Sequence, residues 1–466
     1  MFKAETVAEM AAPRPFAVFE NERRISLPEI LSALSFALDL AEGAAPGHAL
    51  RSCILGMRVA GELGMSDAER RSLYYALLLK DAGSSSNASR IYQITGGDDR
   101  EIKRRARLEG WPRLSSGMLG SSWKNVVPGS NPIRKTLRIA QIGIHRYRNH
   151  EVMIRLRADR GARMALKIGV EEAAASAIRH LDERWDGRGY PDSLEADKIP
   201  LASRIMAVAQ HLDVFSGERG PHAALRTLRE HSGRWFDPEL VRVALSLDED
   251  GDLWFDYGPE EARREVLDLA PHEGDATESQ ADKICEAFAG VVDAKSSFTG
   301  RHSIGVTHAA LKIAFELNLP HERRKLVWRA ALLHDLGKLA VSNAILDKPS
   351  QLDAGAWAEV RRHPLHTRKI LERIGPFAEL AEVASQHHER LDGTGYPHGL
   401  TADQLSIEAR ILAVADVYAA LSEERPYRAA LNDEEAFSVI KKDVPHRVDA
   451  ACFEALRGEM RAGDRE

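Results

Sequence analysis

The sequence predicts an all-α protein built from two tandem helical bundles, and three observations carry that expectation. Apolar residues recur at helical spacing almost everywhere, as in LPEILSALSFALDLAE from Leu27, LVWRAALLHDLGK from Leu326 and ARILAVADVYAAL from Ala409. Alternating apolar and polar patterns of the kind a strand needs are scarce. The chain also repeats itself. LASRIMAVAQHLDVFSGERGPHAAL from Leu201 aligns with IEARILAVADVYAALSEERPYRAAL from Ile407, an offset of 206 residues. LDERWDGRGYP (Leu181 to Pro191) aligns at the same offset with HHERLDGTGYP (His387 to Pro397). Upstream the offset is 254, which sets His302 over His48 and Asp335 over Asp81.

These offsets divide the chain. Residues 1–25 form an N-terminal tail, and the first copy runs over 26–235. The difference between offsets gives the first copy 48 additional residues between Asp81 and Ile168. They include the polar, basic stretch GSSSNASRIYQITGGDDREIKRRARLEGWPRLSSG, which places a long loop-like insertion at about 84–150. Residues 236–280 are acidic and turn-rich and read as a helical, acidic linker. The second copy occupies 281–460.

Composition excludes several classes. The chain has 466 residues, with 64 basic against 70 acidic side chains and a net charge of -6, so no bias calls for a nucleic-acid polymer or a membrane surface. Three dispersed cysteines (Cys53, Cys285, Cys452) form no CxxC, which disfavours a disulfide framework or a zinc–thiolate site and points to a reducing cytoplasm. The first 24 residues lack the apolar core of a secretory signal, and no uncharged apolar run reaches membrane-spanning length.

The second copy concentrates chemistry. It contains His302, His334-Asp335, His363, His387-His388 and Asp416, each beside a helical apolar pattern. Imidazole and carboxylate without thiolate suit iron, manganese or a non-structural zinc. Seven such side chains exceed the needs of one ion, whereas two ions sharing a bridging carboxylate would use them all. Lys338 follows Asp335 by three residues. It is either a helix-end lysine complementing the dipole or, the favoured reading, a cation facing a phosphate. Arg425 and Arg428, in EERPYRAA, would complete a positive cradle for a phosphodiester. The DGTGYP loop is no Walker-type phosphate loop. Gly393 and Gly395 allow close backbone approach, and Pro397 stiffens the exit, so that Tyr396 is presented at a fixed place. Survival of the loop in the first copy, where the histidines are gone, gives it a structural role as well.

These residues resemble the HD-GYP family of HD-domain metal phosphohydrolases. The resemblance rests on AALLHDLGK, NAILDKPSQL, RRHPLHTRKIL, QHHERLDGTGYPHGL, ARILAVADVYAAL and ERPYR. It implies two tandem HD-type helical bundles and hydrolysis of cyclic di-GMP to the linear dinucleotide or to GMP, the alternatives being cyclic GMP-AMP as substrate or a non-catalytic cyclic-dinucleotide receptor. It also implies divalent iron or manganese held by His302, His334, Asp335, His363, His387, His388 and Asp416. Asp335 would bridge, with Asp335 and Lys338 as the catalytic residues. Lys338, Tyr396, Arg425 and Arg428 fall at substrate-contact positions. A glutamate that holds a third ion in some members is replaced by Phe298, so two ions are expected. Thr367 stands where glycine is usual, and Leu391 where an aromatic residue is frequent.

At the seven ligand positions the first copy carries His48, Lys80, Asp81, Arg157, Leu181, Asp182 and Gln210. Positive charge at Lys80 and Arg157 disfavours metal there. The first copy therefore resembles a degenerate HD domain, with a regulatory role and a twofold homodimer as expectations.

Overall fold

The computed structural model describes residues 25–109, 146–256, 258–271, 275–296, 301–424 and 428–463. The first copy contributes α1 (Leu27–Glu42), α2 (His48–Glu62), α3 (Asp67–Leu79), α4 (Ala88–Thr95), α5 (Asp99–Glu109), α6 (Arg146–Lys167), α7 (Glu172–Arg179), α8 (Leu201–Arg219) and α9 (Pro221–His231). Next come α10 (Pro238–Glu249) and α11 (Pro259–Asp268). The second copy contributes α12 (Glu278–Asp293), α13 (His302–Glu316), α14 (His321–Leu333), α15 (Asn343–Leu346), α16 (Ala354–Val360), α17 (His363–Leu371), α18 (Ala378–Ser385), α19 (Ile407–Ser422), α20 (Asp433–Ile440) and α21 (Ala450–Gly463). Among the described residues the extended structure consists of two-residue strands, β1 (Ile25–Ser26) and β2 (Asp275–Ala276), which pair antiparallel and tie the entrances of the two copies together. The expected all-α class holds.

Local chemistry fixes the helix ends. Ser26 caps α1 through Glu29 N at 3.2 Å, and Gly43 closes it in the left-handed region at φ 61°. Reciprocal capping boxes start α3 (Ser66 with Glu69) and α20 (Asn432 with Glu435). The repeat in sequence is a repeat in packing. α2 lies on α3 and α8, as α13 lies on α14 and α19. Gly83 and Gly337 occupy matching points of close approach. A Cβ on Gly83 would fall 1.9 Å from the carbonyl oxygen of Arg157, and one on Gly337 would fall 1.9 Å from that of His363.

One stretch differs from the sequence reading. Within the expected loop 84–150, residues 84–109 form a 3-10 turn, α4 and α5, residues 146–150 begin α6, and 110–145 lie outside the described residues. α5 has few apolar positions, so its pattern gave no helical signal. It is held instead by charge pairs at helical spacing, Asp99 with Lys103 and Glu101 with Arg104 and Arg105. The linker 236–280, expected to be helical, holds α10 and α11, and both pack on α2. Tyr74 Oη donates to the Val266 carbonyl at 2.9 Å, and Arg58 reaches the Asp252 carbonyl and the Glu265 carboxylate.

The copies share one hydrophobic core running from Ile25 to Leu456. α1 packs on the Leu336–Ala340 turn and on α17 of the second copy. No described helix is long and apolar enough to cross a membrane.

Candidate metal centre

Each expected ligand of the second copy is placed by a helix end or a helix interior. His302 opens α13, His334 and Asp335 follow the last turn of α14, His363 opens α17, His387 and His388 follow α18, and Asp416 lies within α19. The structure brings all seven together in a buried cluster, with only His388 partly exposed. Asp335 sits between two groups of imidazoles. Its Oδ2 lies 3.3 Å from His334 Nε2 and 3.7 Å from His302 Nε2, while its Oδ1 lies 3.3 Å from His363 Nε2 and 3.8 Å from His387 Nε2. Asp416 also spans the cluster: Oδ1 lies 3.1 Å from His302 Nε2, and Oδ2 lies 3.6 Å from His388 Nδ1.

Backbone carbonyls set the tautomers. Nδ1 of His334, His363 and His387 donates to the carbonyls of Ala331, Val360 and Ala384, each at 2.7 Å. Nε2 of each ring is left as a lone pair aimed at the carboxylates, the orientation a metal ligand needs. His302 is oriented by Glu423, whose carboxylate lies 3.0 Å from Nδ1. Glu423 is a contributor that sequence reading missed; its place seven residues after Asp416 was a signal only in retrospect.

Burial, then the neighbouring imidazoles, hold His387 well below the usual histidine range, and burial pushes His388 down to about 3. Asp335 is held well below the carboxylate range. Burial opposes this, but His334 and Lys338 outweigh it. His334 Nε2 and Asp335 Oδ1 are buried without a hydrogen-bond partner. Orphaned atoms of this kind are costly in a protein interior, and divalent cations on the shared carboxylate would satisfy both. The residues therefore fit metal.

The remaining expected residues sort themselves by position. Lys338 Nζ donates to Asp335 Oδ2 at 2.5 Å. The Tyr396 ring lies 4.7 Å from that of His388. Arg428 spends its guanidinium on the carbonyls of Ala420, Leu421 and Ala429, so here it closes the end of α19. Arg425 and Phe298 lie outside the described residues. Sequence reading missed Arg361, whose guanidinium lies 5.3 Å from the Tyr396 ring centroid. Both line a cleft of about 1140 Å³, open mouth included, beside His387 and His388. Thr367 turns out to be a stitch: its hydroxyl accepts from Gly337 N and donates to the His334 carbonyl, both at 2.9 Å.

The loop that carries Tyr396 is held by Glu389, whose two oxygens accept from His398 N at 2.7 Å and Leu400 N at 3.0 Å. Glu183 does the same in the first copy, accepting from Asp192 N at 2.7 Å and Leu194 N at 3.0 Å. This accounts for the retained loop.

At the first copy's ligand positions, Lys80 Nζ lies 2.8 Å from His48 Nε2 and also bonds Asp81. Arg157 bonds Asp182 at 2.6 Å, and Arg107 bonds Glu42 and Asp81. Side-chain cations stand where the second copy gathers imidazoles.

Fold and site together define a helical metalloprotein with one intact centre and one replaced by ion pairs. The HD domain family model matches residues 140–240 and 286–452. The chain belongs to the HD domain family, in its HD-GYP type. It is 40% identical over 433 residues, 92% of this chain and 94% of the relative, to 3'3'-cGAMP-specific phosphodiesterase 3 of Vibrio cholerae. A crystal structure of a cyclic GMP-AMP specific phosphodiesterase of V. cholerae superposes with a TM-score of 0.64 at 34% identity, covering 94% of this chain and 98% of that one. A cyclic di-GMP phosphodiesterase of Pseudomonas aeruginosa is 42% identical over 140 residues, 30% of this chain and 34% of its own length.

Proposed function

We propose that this phosphodiesterase hydrolyses a cyclic dinucleotide in its second copy, with 3'3'-cyclic GMP-AMP ahead of cyclic di-GMP. The observation that carries the reading is the buried Asp335 carboxylate, set with one oxygen toward each histidine group, in a cluster whose His387 and His388 line the Tyr396–Arg361 cleft. The substrate order reverses the sequence expectation. The V. cholerae relative that matches both copies is named for cyclic GMP-AMP, whereas the cyclic di-GMP relative matches about a third of the chain.

Two ions, iron or manganese by donor type, would be held by His302, His334, Asp335, His363, His387, His388 and Asp416. When bound, they supply Lewis acidity that polarises the phosphoryl group and makes water nucleophilic. The protein does the rest. Lys338 Nζ binds a non-bridging phosphoryl oxygen and stabilises charge on the departing 3′ oxygen. Tyr396 and Arg361 place a base by stacking, and Glu389 keeps the Tyr396 loop in register. The test is steady-state turnover of both cyclic dinucleotides by the metal-loaded full chain and by Lys338→Ala. A higher kcat/KM for cyclic GMP-AMP, with kcat falling about 10²–10³-fold in the variant, supports the reading. Equal or higher kcat/KM for cyclic di-GMP restores the sequence order, and no cleavage of either rejects the substrate class.

A further inference from the structure

The first copy holds a cavity at the place of its lost centre. Counted with its open mouth it spans about 750 Å³. One wall is aromatic: His211 lies 5.0 Å from Phe236 and 6.1 Å from Trp235, ring centroid to ring centroid. His211 Nδ1 donates to the Ala207 carbonyl at 2.6 Å, and burial pushes the ring down to about 4. The imidazole is therefore neutral at physiological pH, with Nε2 left as a hydrogen-bond acceptor.

The lining is also cationic. Arg157 and Arg184 contribute to it, each with one carboxylate, Asp182 and Asp186 respectively. Arg188, exposed at the mouth, adds a charge for which no carboxylate is recorded among the described residues. Burial first, and then the nearby Arg234 and Arg188, lower Arg184 below the usual arginine range, outweighing Asp186. Its Nε is a buried donor without a hydrogen-bond partner, and its guanidinium lies 5.6 Å from the Trp235 ring centroid. Surplus positive charge, an unused donor and an aromatic wall with one acceptor form a matched set. They fit a planar base that has hydrogens to donate and that carries a phosphate.

We propose that this cavity binds a mononucleotide, the base against Trp235 and His211 and the phosphate on Arg184 and Arg188. The site does not depend on which substrate the second copy cleaves.

The experiment is equilibrium dialysis of GMP, AMP and inorganic phosphate with the full chain, repeated in Asp335→Asn to separate this site from the metal centre. A site for GMP or AMP that survives in Asp335→Asn is expected. It should weaken about tenfold or more in Arg188→Glu and in Trp235→Leu, with phosphate alone binding about tenfold more weakly than the nucleotide. Arg188→Glu, at an exposed position, should keep the unliganded turnover of the second copy unchanged. Three results overturn the proposal. One is absence of mononucleotide binding at millimolar concentration. Another is binding that both variants leave intact, which would locate it in the catalytic cleft. The last is phosphate binding as tightly as nucleotide, which would reduce the site to an anion pocket.

Discussion

Asp99, at the start of α5, accepts a hydrogen bond from the backbone N–H of Asn343 at 2.8 Å, across 244 residues of chain. The contact lies immediately behind the turn that carries Lys338. Arg100 reinforces it by bonding the carbonyl of Ala340 and the carboxylate of Glu359. At the other end of the same helix, Arg107 enters the first copy's cavity. α5 thus connects the replaced centre with the back of the intact one.

That junction has a pH signature. Lys295, fully buried 3.6 Å from Asp99, is pushed down to about 8, with burial the largest cause and Asp99 opposing it. The unfolded chain holds this proton up to the ordinary lysine value of 10.5. Between about 8 and 10.5 the unfolded state binds more protons, so this residue makes stability rise with pH across the window and imposes a constant cost below it. The shift corresponds to something on the order of 3 kcal/mol. Denaturant titrations at pH 7.5, 9 and 10.5 should show that rise in the parent and a flatter profile in Lys295→Met.

Asp335→Asn should abolish turnover and transition-metal content together, because the bridging charge is lost from both histidine groups at once. Helical content should stay near that of the parent, since no helix is capped by this side chain. Elemental analysis and circular dichroism on the same preparation check the prediction. Full metal content in the variant would remove Asp335 from the bridging position.

The paired loop carboxylates allow a separation of roles. Glu389→Ala and Glu183→Ala each leave two backbone N–H groups unpaired, at a cost of about 1–3 kcal/mol apiece. Only Glu389 positions Tyr396. Its loss should raise KM about 10–100-fold with metal content unchanged, the scale of a misplaced substrate-orienting group. Glu183→Ala should lower the melting temperature to a similar degree and leave KM within about twofold. Equal kinetic effects in the two variants would overturn this division.

The legible and illegible parts of the molecule differ for physical reasons. The seven side chains that cluster were readable because imidazoles and carboxylates beside apolar helical patterns are rare, and the repeat gave each one a counterpart. α10 and α11 were legible as a helical, acidic linker, but their docking on α2 was not, since it rests on Leu240, Val241, Ala244, Ala262 and Val266, which are buried within an acidic stretch. α5 was hidden because ion pairs, rather than apolar residues, hold it. Arg361 and Glu423 could not be found from spacing, since each meets its target across the fold: Arg361 meets Tyr396 and Glu423 meets His302. Arg428 was assigned by motif, but its guanidinium found nearer carbonyls.

The last prediction concerns how each copy neutralises its buried carboxylates. In the second copy, Asp335 and Asp416 face imidazoles with free lone pairs, an arrangement that cations complete. In the first, Lys80, Arg107 and Arg157 are covalently attached cations already paired with Asp81, Glu42 and Asp182. Arg107, with Lys103, holds Glu42 down to about 2 despite burial. A strong chelator should therefore lower the melting temperature of the parent and leave that of Asp335→Asn unchanged, because the first copy has no ion to lose. Lys80→Met should do the reverse. Removing one member of a buried ion pair strands Asp81 with Arg107 alone and leaves His48 Nε2 without its donor, at about 3–5 kcal/mol. Differential scanning calorimetry with and without chelator should show both effects as additive, the two sites being occupied by different kinds of cation. A Lys80→Met chain that gains transition metal, or a parent indifferent to chelator, would show that the copies do not divide the work in this way.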